Sequence, residues 1–163
     1  MDEYGDLAPR MATLAATFEA AARGYRARYV PPGGPGQWGK LFEAFCIGAY
    51  AVGGKTGDLW VIVEELADVT AASHAPAAWA RISRSGRHKG LTVLAATQRP
   101  ATVDKSFLGN ASRVRCFRLN WATDVRVMAA LLGVPDDELM RLTPGQWIDR
   151  DLLTGRLDRG ALA

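Results

Sequence analysis

Two apolar runs constrain this chain more than any other feature. LWVIV at residues 59–63 and LTVLAA at 91–96 are too short for buried helices, and each ends abruptly in polar residues, Glu64-Glu65 after the first and Thr97-Gln98 after the second. Continuous apolar runs of this length read as strands buried on both faces, as in parallel sheets covered by helices. The stretches between them have helical period. Residues 8–24 carry Met11, Leu14, Ala15 and Phe18 at helical spacing and stop at Gly24; residues 37–52 repeat the period through Trp38, Leu41, Phe42, Phe45 and Ala49. A third helix is expected over 76–88, ended by Gly90, and a short strand over 25–30, after which PPGGPG at 31–36 continues neither element. Downstream, the pattern predicts a helical turn at 105–110, a third core strand at 114–119, helices at 123–132 and 135–142, and a closing hairpin over 145–160 that turns at 153–155. Buried strands alternating with helices make an α/β fold with a mainly parallel sheet.

A chain of 163 residues with 48% hydrophobic content suits a single domain, able to bury about 70% of its unfolded surface. The net charge of +3 comes from 20 Lys and Arg against 17 Asp and Glu, too small an excess to identify a nucleic-acid partner by itself. The distribution is more informative: Arg81, Arg84, Arg87, His88 and Lys89 form one cluster, and Arg113, Arg115 and Arg118 another. Cys46 and Cys116 lie in apolar surroundings without metal-ligand spacing, which predicts reduced thiols and no zinc site. No apolar run approaches the ~18 residues of a membrane span, and the acidic start MDEYGDL is unlike a signal peptide. A cytoplasmic protein with no membrane partner is expected.

Gly54-Lys55-Thr56 has the look of a phosphate-binding loop. That loop requires G-x-x-x-x-G-K-[ST], and the position its first glycine should hold is Ala49, with Gly48 one residue too early. A P-loop also leaves a strand and opens a helix, whereas GGKTGD follows a helical stretch and precedes a strand. It reads as a helix C-cap and loop.

Ligands of open α/β sheets bind beyond the carboxyl ends of the strands, where Glu64-Glu65 and Thr97-Gln98 fall. A strand ending in two acids is the Walker B arrangement, its first carboxylate serving the magnesium shell and its second the attacking water. A Gln on the neighbouring strand tip can sense the γ-phosphate or position that water.

The stretch from Ile82 to Leu119 carries Gly86-Arg87-His88-Lys89-Gly90 after a basic helix, then Ala-Thr-Gln-Arg-Pro at 96–100, then Asn110 and its following arginines before another strand. In that order these elements resemble the FtsK/HerA superfamily of P-loop DNA-pumping ATPases. With LWVIVEEL as Walker B and DEYGDL as the segment after the family's second strand, the resemblance spans most of the chain. It implies a single, partial RecA-like domain over 1–163, encoded by a phage or mobile element and belonging to a protein that acts with ATP and Mg2+ on DNA as a homo-oligomeric ring. It makes Glu65 the catalytic base, Glu64 an indirect magnesium-side acid where the family usually has Asp, and Gln98 the polar sensor beside Thr97. Arg113 and Arg87 become candidates for the arginine that completes a neighbouring subunit's site.

No position offers the family's P-loop, which with its strand belongs upstream of DEYGDL. The expectation is therefore the Walker B and sensor portion of a DNA translocase or packaging motor, lacking the P-loop strand and helix and not active alone. Without that strand, the strands at 91–96 and 114–119 lose a shared neighbour, and the chain should self-associate or need a segment to fill the gap. Two alternatives stand beside it: an inactive subunit or inhibitor that docks on a partner's ATPase ring, and an α/β domain whose basic helix binds DNA. The failed loop register makes a prediction of its own. Lys55→Ala leaves ATP affinity unchanged in any nucleotide-binding form of the protein; a loss of affinity by calorimetry, with the fold intact, would contradict it.

Overall fold

The computed structural model describes residues 5–162, so part of the DEYGDL segment, residues 1–4, lies outside the described residues. Thr13 caps α1 (Leu14–Ala22) by accepting from the Ala16 N–H at 3.1 Å, which starts this helix later than its apolar spacing suggests. The residues before the cap form β1 (Arg10–Met11), paired in parallel with β2 (Arg28–Tyr29). The long α2 (Trp38–Thr56) then runs through Gly53 and Gly54 and ends only at Gly57, in the left-handed conformation with φ 75°. The expected loop GGKTGD is therefore mostly helix. Gly53 serves close approach instead: a Cβ there would lie 2.5 Å from the Leu91 side chain, so only glycine lets α2 sit this near the sheet.

Two strands follow the expectation closely. β3 (Leu59–Val63) and β4 (Leu91–Ala95) pair in parallel with Leu59 opposite Leu91, joined by α3 (Ala77–Ser85) and a 3-10 turn at Gly86–Lys89. α2 and α3 cover one face of this pair. Phe42, Cys46, Ala49, Val61, Leu66, Trp79, Ile82, Leu91 and Val103 form the core there, and the Phe42 and Trp79 rings lie 5.3 Å apart. The other face is open. Trp60, Ile62 and Leu94 are 63%, 65% and 54% exposed, so LWVIV is buried on one face only, contrary to the two-sided burial its unbroken hydrophobicity implies. No described element covers these side chains.

After α4 (Lys105–Asn110), the third core strand β5 (Arg113–Phe117) does not join β4. It pairs antiparallel with β6 (Gln146–Asp151), which pairs antiparallel with β7 (Leu157–Ala161), the expected C-terminal hairpin. Among the described residues the expected mainly parallel sheet is thus split into small sheets, a mixed α/β fold, with the free edges of β4 and β5 unpaired. α5 (Ala122–Leu132) and α6 (Asp136–Met140) pack with the antiparallel sheet around a second core of Val114, Cys116, Val125, Met128, Leu132, Leu139 and Ile148. Cys46 and Cys116 are free and buried, and burial pushes both thiols up to about 12. No helix of the described residues is long and apolar enough to cross a membrane.

The two cores are tied at one carboxylate. Asp124, in the first turn of α5 and 1% exposed, accepts from the Ala101 N–H at 2.8 Å and the Arg99 Nε–H at 3.0 Å, both in the loop that leaves β4. Asp124→Ala leaves a buried N–H without an acceptor, while Arg99, 46% exposed, can turn to water. Urea unfolding should show a loss of about 2 kcal/mol for Asp124→Ala and about half that for Asp124→Asn, which keeps one acceptor. A loss below about 0.5 kcal/mol for the alanine variant would mean that Asp124 does not hold the halves together.

Candidate active site

The ladder between β3 and β4 continues past the strands themselves. Ala96 N–H donates to the Val63 carbonyl and Leu66 N–H to the Ala96 carbonyl, each at 2.9 Å, which holds Glu64-Glu65 and Thr97-Gln98 side by side at the carboxyl ends. The two polar pairs meet through Glu65. Its Oε1 accepts from the Thr97 hydroxyl at 2.5 Å and the Ala67 N–H at 3.3 Å, and its Oε2 from the Gln98 N–H at 3.1 Å. Thr97 Oγ1 in turn accepts from the Arg99 N–H at 3.1 Å. A carboxylate has about four lone-pair sites. Three are taken here, leaving one on Oε2 beside Gln98, where a water hydrogen can be received. Glu65 therefore braces the Gln98 loop and retains acceptor capacity.

Glu64 and the Gln98 side chain are exposed at the same tip. Mg2+ is held in many phosphate sites by one or two carboxylates, with phosphate and water completing its shell. Glu64 beside Glu65 suits that metal side. Lys55 is not placed to serve a phosphate there, since it lies in the last turn of α2, just before β3 begins, a strand length from Glu64.

Arg87 sits in the turn that enters β4, separated from Gln98 by the strand's full length, about 16 Å for five residues. Arg87 is thus placed away from Glu64 and Glu65 of its own chain. The Arg99 guanidinium, at the exit of β4, lies 5.4 Å from the ring of Trp121, just beyond β5, which brings the segments that leave the two strands together. Arg113 and Arg115 both donate through Nε to Asp149, which is 3% exposed, at 2.7 and 2.9 Å, and Asp149 raises the pKa of Arg113 further. Among the described residues Arg87 makes no ion pair.

Asp124, which grips the loop after Gln98, and Asp149, which holds Arg113, are residues that sequence reasoning did not single out. Asp124 reads as an ordinary acid in a helix's first turn, and Asp149 as one polar residue among several in QWIDRD. Only the fold puts arginines over them.

No family model matches the chain. Protein P9 of Pseudoalteromonas phage PM2 is 37% identical over 101 residues, 62% of this chain and 46% of that protein, so the match spans about half the length of the curated relative. Among solved structures, the genome packaging NTPase B204 of Sulfolobus turreted icosahedral virus 2, in complex with ATP-gammaS, superposes with a TM-score of 0.82 at 13% identity over 99% of this chain and 77% of its own. B204 of Sulfolobus turreted icosahedral virus, a DNA-packaging ATPase, gives 0.79 at 14% identity over 100% of this chain and 78% of its own. This chain therefore has the fold of the B204 genome-packaging NTPases along nearly its whole length.

Proposed function

We infer that this chain is the Walker B and sensor portion of an ATP-driven phage genome-packaging motor of the FtsK/HerA type, acting on DNA. One observation carries the reading: Glu65, on the tip of β3, is hydrogen-bonded to both Thr97 and the Gln98 backbone on the tip of β4. A solvated strand end needs no such cross-link. The cross-link keeps a base candidate and a sensor candidate in one fixed relation, which is what orienting a water against a phosphate requires.

In this reading Glu65 would receive the water proton at its remaining Oε2 site, Gln98 would sense the γ-phosphate, and Glu64 would serve the Mg2+ side. ATP supplies the phosphoryl group, and the metal neutralises charge on it. The phosphate cradle comes from a strand, P-loop and helix lying between β4 and β5, the strand pairing with their free edges and the helix covering Trp60, Ile62 and Leu94. The unpaired edges and the exposed apolar face support that placement. Arg87, which makes no ion pair among the described residues and lies at the far end of the strand from Gln98, is freer than Arg113, held by Asp149, to enter a neighbouring subunit's site in a ring. The same open edge and face also fit a subunit without turnover that docks on a partner ATPase, and activity decides between the readings.

The test supplies the chain with a P-loop segment in cis and measures turnover and nucleotide affinity separately. Glu65→Gln should lower kcat by a factor of about 10² to 10⁴, with ATP affinity kept within about threefold. Turnover equal to the parent's would remove Glu65 as the base. An extended chain that folds and binds ATP without hydrolysing it would favour the docking subunit.

A further inference from the structure

The cations of this chain fall into two populations. In the C-terminal half six are matched with acids, Arg99 with Asp124, Arg113 and Arg115 with Asp149, Arg141 with Asp137, Arg156 with Asp158 and Arg159 with Glu138, while Lys105, Arg118 and Arg126 are scattered singly and make no ion pair among the described residues. On α3 and the turn after it, Arg81, Arg84, His88 and Lys89 are exposed and make no ion pair among the described residues.

Arg81, Arg84 and Lys89 are nonetheless supported by neutral groups. Arg81 stacks 4.3 Å from the centre of the Tyr50 ring on α2, and the Lys89 amine lies 5.9 Å from the same ring. Arg84 donates through Nε to the Ala80 carbonyl at 3.1 Å, which leaves its outer nitrogens to solvent. Lys89 lies over Gly54, where a Cβ would be 3.9 Å from its amine, and Lys55 is the next residue of α2. Glu43 lines the same concavity as Tyr50 and Arg81 and offsets part of this charge, but both its oxygens face the Ala78 N–H at 3.1 Å, and among the described residues neither it nor Asp58 forms an ion pair with these cations. The Ser85 side chain, then Arg81 and Lys89, hold the Tyr50 hydroxyl below its usual range, in keeping with a positive local field.

Fixed but unneutralised cations suit a partner that brings its own regular negative charge. We propose that Arg81, Arg84, His88 and Lys89, with Lys55 of α2, form a docking face for the phosphate backbone of double-stranded DNA. The face runs along a helix axis for about 12 Å from Arg81 to Lys89, enough to meet about three phosphates of one strand at ~3.4 Å of duplex axis each. It lies at the amino ends of β3 and β4, remote from Glu65, so DNA binding and phosphate chemistry occupy opposite ends of the sheet. The choice of DNA over another polyanion rests on the packaging reading. The contact itself needs neither nucleotide nor P-loop.

The test is fluorescence anisotropy of the full chain with a labelled 20-base-pair duplex, without nucleotide, across a salt series. Three phosphate contacts predict a slope of about −2.7 in log affinity against log salt, so that affinity falls roughly 40-fold between 50 and 200 mM. Arg84→Glu with Lys89→Glu should reduce the slope by about two and weaken binding at least about tenfold at 100 mM salt. Arg84→Gln with Lys89→Gln, a milder change, should give an intermediate loss. Arg141→Glu with Arg156→Glu alters net charge equally on paired residues and should stay within about threefold of the parent. Absence of salt-dependent binding by the parent would overturn the proposal, as would equal weakening by both charge-reversed pairs. So would a charge-reversed α3 face that binds DNA like the parent but loses self-association, which would make the face a subunit contact. None of these outcomes depends on whether Glu65 is a base.

Discussion

The Asp124 carboxylate is the contact on which the arrangement of this chain depends. β4 and β5 share no backbone hydrogen bond, and each belongs to a sheet with its own core. What relates them is a buried acid on α5 that accepts from the peptide N–H of Ala101 and from Arg99. A peptide donor and a guanidinium arriving from one loop fix both the position and the direction of that loop, which an apolar contact does not. The unpaired edges of β4 and β5 are thereby held in a definite relation. The Gln98 loop is gripped from both sides, by Glu65 through its backbone and by Asp124 through the two residues that follow.

From that clasp the sheet acquires two chemically different ends. At the carboxyl ends, one carboxylate, Glu65, is cross-linked to the Thr97 hydroxyl and the Gln98 backbone N–H, which fixes the two strand tips in one relation. At the amino ends, cations are supported by an aromatic ring and helix carbonyls, so their charge stays available. Between the ends, Trp60, Ile62 and Leu94 lie open to water beside the free edge of β4. An exposed apolar strip beside unpaired peptide groups is a surface that proteins normally cover. The viral packaging NTPases superpose along nearly all of this chain while about a quarter of their own length has no counterpart in it, so their fold has further chain with which such a surface could be met.

Much of this was legible in the residues, because local rules and the fold agree over most of the chain. The apolar runs at 59–63 and 91–96 became strands in register, Lys105–Asn110 became a helix as expected, and the hairpin turned where its polar strands met. The strand-tip residues Glu64, Glu65, Thr97 and Gln98 came together because strand ends are set by the same pattern that sets strands. Other features were not legible, for identifiable reasons. Gly53 and Gly57 look alike in sequence, and only the approach of Leu91 shows that one permits contact while the other ends the helix. Hydrophobicity reports that LWVIV is built to be covered on both faces, and cannot report which cover is present. The roles of Asp124 and Asp149 arise from arginines distant in sequence, a relation that no spacing rule encodes.

The account stands most directly on the open edge of β4, and hydrogen exchange at single amides tests it. Parallel pairing alternates along a strand. Ala96 N–H bonds to β3, so Thr92 and Leu94 point the same way, while Val93 and Ala95 direct their N–H groups to the free edge. In the chain alone, Thr92, Leu94 and Ala96 should be protected, and Val93 and Ala95 should exchange rapidly. Supplying a strand and P-loop helix in cis should then slow Val93 and Ala95 by a factor of at least about 10², the protection of a stable buried hydrogen bond. Strong protection of Val93 and Ala95 in the monomeric chain alone would contradict the account, because the edge would then already be paired and the sheet would have no place for a phosphate-binding strand.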